Sequence, residues 1–166
     1  MMTVIKENDC SDKNMMTVIE NDNSNRVVKN DPLTERIISC CFKVHKELGP
    51  GFNERVYQNA LKILLKEESL EHKDEEIFDV IFQEQKVGKL KIDLLVEDKV
   101  IVELKAVTGI MPKLFEAQLI SYLKVTGLEV GLLINFGNRR CDIRRLLNNH
   151  CNQNLNHCNH YNNKGI

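Results

Sequence analysis

The sequence predicts an α/β fold, a mixed central β-sheet flanked by helices, and three observations carry that prediction. Apolar residues recur at helical spacing over 31–48, 53–68 and 112–126. Short runs rich in β-branched and aromatic residues, EEIFDVIF, KLKIDLLV, KVIVELKAV and EVGLLINF, lie between and after them, separated by turn-forming residues. The resulting order is helix, helix, three strands, helix, strand and a closing element, which suits a sheet with helices packed on it.

Each element has local signals. Asp31-Pro32 opens the first helix, with Asp31 as cap, Pro32 in the first turn and Glu35 near the positive end of the dipole. Leu33, Ile37, Cys40 or Cys41, Val44 and Leu48 form its inner face, and Gly49-Pro50-Gly51 ends it. Asn53 caps a second helix reaching about Glu68, with Val56, Ala60, Leu61, Ile63, Leu64 and Leu65 on its apolar side. Glu75 to Phe82 reads as a strand, Gln83 to Gly88 turns the chain, and the Lys89 strand follows, so three consecutive strands form a meander. Met111-Pro112 starts a third helix carrying Leu114, Phe115, Leu119, Leu123 and Val125, ended by Gly127. Glu129 to Phe136 is a short apolar run with the character of a buried strand, and Cys141 to Leu147 closes the fold as a strand or short helix.

Within this frame, the charges of the hairpin Lys89–Val107 require an explanation. A turn at Glu97-Asp98-Lys99 pairs Val96 with Val100 and sets Asp93 directly opposite Glu103, roughly 5 Å away on one face of the sheet. Lys105 shares that face through the two-residue alternation of a strand. Opposed carboxylates in a half-buried sheet repel and lose solvation unless neutralised. Two readings follow from spacing alone: a divalent cation held by Asp93 and Glu103, or a buried ion pair with Lys105 that has no catalytic meaning. Glu54, with Tyr57 and Gln58 beside it, opens the second helix and can serve the helix dipole. Gln118 and Tyr122 share a face of the third helix, where amphipathic packing is the alternative to a site role.

Composition narrows the function. The chain has 166 residues, 42% hydrophobic and 28% charged, enough for one domain with a substantial core. The formal net charge of -1 supplies no global basic field, so a nucleic-acid contact must come from a local patch. No apolar run of about eighteen residues occurs, and the start MMTVIKENDC lacks a signal-peptide pattern, so no membrane partner and a cytoplasmic location are expected. The adjacent Cys40 and Cys41 suit reduced core thiols, and His45 and His72 suit structural or surface roles. Residues 1–30, with MMTVIKENDCSDKN followed by the near-copy MMTVIENDNSN, read as a disordered leader. Residues 31–147 form the domain, and residues 148–166 an asparagine-, histidine- and cysteine-rich low-complexity tail. Its His150-Cys151 and His157-Cys158 pairs suit Zn²⁺ chemically but lack the spacing of a structural zinc site.

The stretch HKELGPGFNERVYQNAL resembles the signature of the GxxExxY proteins, with Gly51, Glu54 and Tyr57 at the named positions. The similarity continues through KIDLLVEDKVIVELKAV, EAQLISYLK and TGLEVGLLINFG, covering about residues 35–147. That family is assigned to the PD-(D/E)XK nuclease-like superfamily, so the resemblance implies a restriction-endonuclease-like core and a site built on a strand hairpin. It implies that Asp93 is the first acidic residue and that Glu103 and Lys105 supply the (D/E)XK. Glu54 resembles an additional carboxylate from a preceding helix, and Gln118 with Tyr122 resembles the QxxxY pair of RecB-like nucleases. The acidic stretch Asp74-Glu75-Glu76 departs from relatives that carry glutamine and proline there.

The function so implied is metal-dependent phosphodiester hydrolysis on nucleic acid, DNA ahead of RNA, by a protein compatible with a homodimer. Mg²⁺ or Mn²⁺ would be held by Asp93, Glu103, the Leu104 carbonyl and Glu54, and Lys105 would orient or deprotonate water or stabilise developing charge. Gln118 and Tyr122 would position the lysine, a water or the substrate backbone. Lys113, Lys124, Arg139, Arg140, Arg144 and Arg145 are the basic residues available for phosphate contacts. The alternative is a catalytically inactive nuclease-fold protein acting as a nucleic-acid or protein binding module; a third class, a metal or redox protein, would act through the cysteine- and histidine-rich tail.

Overall fold

A computed structural model describes residues 31–148 and the backbone of residues 18–20. The rest of the leader and the tail beyond Asn148 lie outside the described residues, and so does the tail's proposed metal chemistry. Three helices form as the caps predict: α1 (Pro32–Leu48), α2 (Glu54–Glu67) and α3 (Lys113–Thr126). The Asp31 carboxylate accepts the Leu33 N–H at 3.2 Å, and the Asn53 side-chain oxygen accepts the Val56 N–H at 3.2 Å. Gly127 ends α3 in the left-handed region, at φ 72°.

The strands are β1 (Val18–Glu20), β2 (His72–Asp74), β3 (Ile77–Phe82), β4 (Gln85–Lys91), β5 (Leu94–Val96), β6 (Val100–Lys105), β7 (Val130–Asn135) and β8 (Asp142–Leu147). Six of them make a mixed sheet in the order β1-β8-β7-β6-β5-β2, with β6 and β7 parallel. The crossover between these parallel strands is α3. Helices α1 and α2 cover one face, where Ile37, Cys41, Tyr57 and Leu61 meet Leu94, Val102, Leu104 and Ile134. Helix α3 covers the other, where Leu119 and Leu123 meet Leu95, Ile101 and Leu133. The approach of α3 is close: a Cβ at Gly131 would stand 2.9 Å from Leu119 Cγ. Cys40, Cys41 and Cys141 are free, and the first two are core residues.

The structure corrects several expectations. The three-strand meander is absent, because β3 and β4 pair only with each other in a separate two-stranded sheet. Their turn is Gln83-Glu84, with φ 47° and 62°, rather than Gln83 to Gly88, and a register shift follows Val80. The additional strand β2 pairs with β5 instead. Of the two forms expected for the closing element, the strand is the one that forms: β8, antiparallel to β7. Val18–Glu20, inside the segment predicted to be unpacked, pairs in parallel with β8. Ile63, assigned to the apolar side of α2, is 60% exposed, because the buried stripe of that helix runs through Tyr57, Gln58, Leu61 and Leu65.

Candidate active site

The hairpin forms in the predicted register: Val96 pairs with Val100, Leu95 with Ile101 and Leu94 with Val102. Glu97 and Asp98 both adopt positive φ, 54° and 52°, to close the turn. Continued by one residue, that register opposes Asp93 to Glu103. Before that point the strand leaves the sheet. The next hydrogen-bonded pair of the ladder would be Ile92 with Leu104, but Ile92 N–H donates to Glu76 O at 3.0 Å. The Asp93 carboxylate takes over instead, accepting the Leu104 N–H at 2.8 Å. The two polar groups of a strand residue point to the same side. The Leu104 carbonyl therefore faces Asp93 with its ladder donor diverted. The bend is fixed from behind by Asp93 O, which accepts Gln58 Nε2 at 2.9 Å and the Glu75 N–H at 3.1 Å.

Alternation along β6 sends Leu104 into the α1–α2 core and Glu103 and Lys105 toward α3. Glu103 is 4% exposed. Its Oε1 accepts Lys105 Nζ at 2.7 Å, while Oε2 is buried with no hydrogen-bond partner. Burial, reinforced by the nearby Asp93 charge, pushes the Glu103 carboxyl up to about 7 despite the lysine. Burial alone would draw the Lys105 ammonium down, but the Glu103 hydrogen bond and the charges of Glu103, Glu54 and Asp93 together hold it above its usual value. Lys105 Nζ also stands 4.9 Å above the Phe115 ring centroid. One end of the sheet thus holds an under-neutralised acidic group with a single cation bound to it.

Glu54 begins α2 at the same end, exposed at the rim, and its negative charge reaches both Glu103 and Lys105. Its position is set by Tyr57, whose Oη donates to Gly49 O at 2.8 Å and accepts the Phe52 N–H at 3.2 Å. The Tyr57 ring stacks on Phe136 with centroids 4.5 Å apart. Gly51 sits at φ 116°, which a side chain would strain. The three spaced residues Gly51, Glu54 and Tyr57 therefore act on one loop.

Gln118 Nε2 donates to Tyr122 Oη at 2.5 Å, so the two pair with each other across one turn of α3. Burial raises the Tyr122 pKa, the Gln118 hydrogen bond opposes it, and the Glu103 charge adds to the rise. Helix α3, which carries the pair, also carries Phe115, whose ring lies against Lys105 Nζ.

Sequence reasoning assigned no site role to Gln58, Phe115 or Asn135. Gln58 is a buried polar residue on the apolar stripe of α2, and Asn135 is fully buried in an apolar strand. Both were visible as polar residues in apolar settings. Asn135 Oδ1 accepts the Val107 N–H at 2.9 Å and its Nδ2 donates to Val107 O at 2.8 Å, fixing the chain as it leaves Lys105. Of the basic residues, Arg144 is engaged by Glu116 and Asp142. Lys113, Arg139 and Arg140 are exposed and form no salt bridge among the described residues. Asp74 and Glu75 are neutralised by Lys62, and by Arg55 and Lys91, respectively.

A family profile described as the PD-(D/E)XK nuclease superfamily matches residues 31–162. The chain belongs to that superfamily. The match spans every described element except β1. No curated protein and no solved structure matches the chain. PD-(D/E)XK nucleases typically use divalent metals, and the oxygen-rich hairpin fits a hard cation. Glu103 has an unsatisfied buried oxygen, Asp93 has one oxygen beyond that bonded to Leu104, and the Leu104 carbonyl faces them. Among the described residues no three Asp, Glu, His or Cys side chains form a ready-made cluster, so Glu54 is a rim carboxylate in this arrangement. Mg²⁺ commonly binds through one or two carboxylates and retains waters, which such a donor set allows.

Proposed function

We propose that this PD-(D/E)XK protein is a metal-dependent nuclease hydrolysing phosphodiester bonds of nucleic acid, DNA ahead of RNA, at Asp93, Glu103 and Lys105. The observation that carries this reading is Glu103 Oε2, a buried carboxylate oxygen with no partner next to a second carboxylate. A structural ion pair satisfies Lys105 and one oxygen; it leaves the other unexplained. Gly51, Glu54 and Tyr57 further support membership of the GxxExxY proteins within the superfamily.

Mg²⁺ or Mn²⁺ bound here would supply charge neutralisation and Lewis acidity at the scissile phosphate. Asp93 and Glu103 would hold the ion, with the Leu104 carbonyl facing the same space. Lys105, held protonated by its acidic neighbours while the ion is absent, would orient water or stabilise negative charge developing on the phosphate. Phe115 underneath and Glu103 beside it restrict the ammonium. Gln118 and Tyr122 present a hydroxyl and an amide to the substrate backbone or a water, and Glu54 adds negative charge at the rim.

The test is a cleavage assay on single-stranded DNA, duplex DNA and RNA with Mg²⁺ or Mn²⁺, with calorimetric metal binding in parallel. Cleavage and metal binding in the wild type are expected, with cleavage abolished in Asp93→Ala, Glu103→Ala and Lys105→Ala. Activity surviving in all three variants, or no metal affinity at this site, overturns the proposal. Metal and nucleic-acid binding without cleavage would instead establish the binding-module alternative.

A further inference from the structure

The loop joining β6 to α3 is unusually well held for an exposed segment, and it displays apolar side chains to water. Asn135 grips both polar groups of Val107. Asn138 repeats the arrangement at Gly109, two residues after Val107: its Oδ1 accepts the Gly109 N–H at 2.8 Å and its Nδ2 donates to Gly109 O at 2.8 Å. Two side-chain amides thus reproduce the pairing of a neighbouring strand. Gly137 permits the approach, because a Cβ there would stand 2.4 Å from Val107 O. On the far side Met111 is buried and Pro112 leads into α3. Ile110, fixed between these anchors, is 94% exposed, and Leu114 in the first turn of α3 is 73% exposed.

Single exposed apolar residues are ordinary, but a side chain held in water by anchors on both flanks has no folding rationale. Its surroundings identify an occupant. Lys113 lies between Ile110 and Leu114 in sequence, and Arg139 and Arg140 follow the Asn138 clamp; all three are exposed cations without salt bridges among the described residues. The loop leaves β6 directly after Lys105. Cations beside an apolar tip match a polyanion that also offers flat apolar faces, which is a nucleic-acid strand with unstacked bases. A continuous duplex turns phosphates outward and keeps its base faces stacked, whereas a single strand exposes them.

We infer that Ile110 and Leu114 form an apolar platform that packs against an unstacked base next to the scissile phosphate, making single-stranded or splayed nucleic acid the preferred substrate. This rests on the nuclease reading of the adjacent site. Lys113, Arg139 and Arg140 hold the flanking phosphates, and the Asn135 and Asn138 clamps keep the platform rigid so that little entropy is lost on contact.

The experiment compares wild type, Ile110→Ser/Leu114→Ser and Ile110→Trp by fluorescence anisotropy on labelled single-stranded and duplex DNA of the same sequence. Ca²⁺ replaces Mg²⁺ in the binding measurements, and cleavage with Mg²⁺ is assayed separately. The double serine variant is expected to bind single strands about tenfold more weakly with little change on duplex, and Ile110→Trp to bind single strands more tightly, as base–side-chain stacking predicts. Both positions are exposed, so the variants are expected to melt with the wild type. A 2-aminopurine base should brighten with wild type and not with the serine variant. Unchanged single-strand affinity in the serine variant, or a loss confined to duplex, overturns the inference while leaving wild-type cleavage intact. Wild type that neither binds nor cleaves any nucleic acid overturns this inference and the nuclease reading together.

Discussion

The Asp93 carboxylate accepts the backbone N–H of Leu104 at 2.8 Å, completing a β-ladder that the backbone of its own strand has abandoned. Asp93 therefore has a structural and an electrostatic duty, and two substitutions separate them. Asn at this position retains an acceptor for Leu104 but removes the charge; Ala removes both. Asp93→Asn is expected to melt near the wild type while losing metal affinity and cleavage. Asp93→Ala is expected to lose a further ~1 kcal/mol for the unmade hydrogen bond. Thermal denaturation and metal calorimetry on the pair check this; equal stability of the two variants would remove the structural duty.

Glu103 gives the metal-free protein a pH signature. Its folded pKa, about 7, lies above the ordinary carboxylate value of 4.5, so the folded state retains a proton that the unfolded state has released between those values. Stability is then greatest at acidic pH, falls as pH rises from about 4.5 to about 7, and is level above. The amplitude is on the order of 3 kcal/mol. Glu103→Gln should flatten this component, read as the difference between wild-type and variant denaturation midpoints across pH 4.5–8 in EDTA. Metal affinity should move oppositely, rising with pH and levelling above about 7, because a cation competes with the proton.

Lys105 and Glu103 are both largely buried, and removing one leaves the other without its counter-charge. Lys105→Met is expected to destabilise the metal-free protein by about 2–4 kcal/mol, with Glu103 protonated well above neutral pH in that variant. Combining it with Glu103→Gln should restore most of the loss. The coupling is measured by a double-mutant cycle in chemical denaturation, and additive losses would show that the two side chains do not act as a pair.

Much of the site was legible because its chemistry is local. Glu103 and Lys105 are the charges of an otherwise apolar strand, the turn after Val96 sets the register that brings Asp93 back to that strand, and Asp31 and Asn53 announce the helix starts. The bend at Ile92-Asp93 was hidden, since residues 89–96 carry an unbroken strand pattern. It depends on Glu76 O and Gln58 Nε2, contacts between residues far apart in the chain. The same limitation concealed the departure of β3 and β4 from the main sheet: their alternation is ordinary, and only packing of Phe78 and Val80 beneath them, with Ile77 and Ile81 left exposed, distinguishes a side hairpin from a central one. Strand β2, the polar His72–Asp74, has no apolar alternation and is specified by its pairing with β5.

Tyr57 connects the loop before α2 to the core, and its hydroxyl and ring can be tested apart. Tyr57→Phe preserves the stack on Phe136 but removes the bonds to Gly49 O and the Phe52 N–H. Two hydrogen bonds at about 1 kcal/mol each predict a loss on the order of 1–2 kcal/mol. Tyr57→Ala also empties the space under the ring and should cost about 3–5 kcal/mol. If the loop exists to hold Glu54 at the rim, Tyr57→Phe lowers metal-dependent cleavage at temperatures where the variant is fully folded, and Glu54→Gln added to it lowers cleavage little further. Full additivity of the two substitutions on kcat/KM would confine Tyr57 to stability and detach Glu54 from the loop that begins its helix.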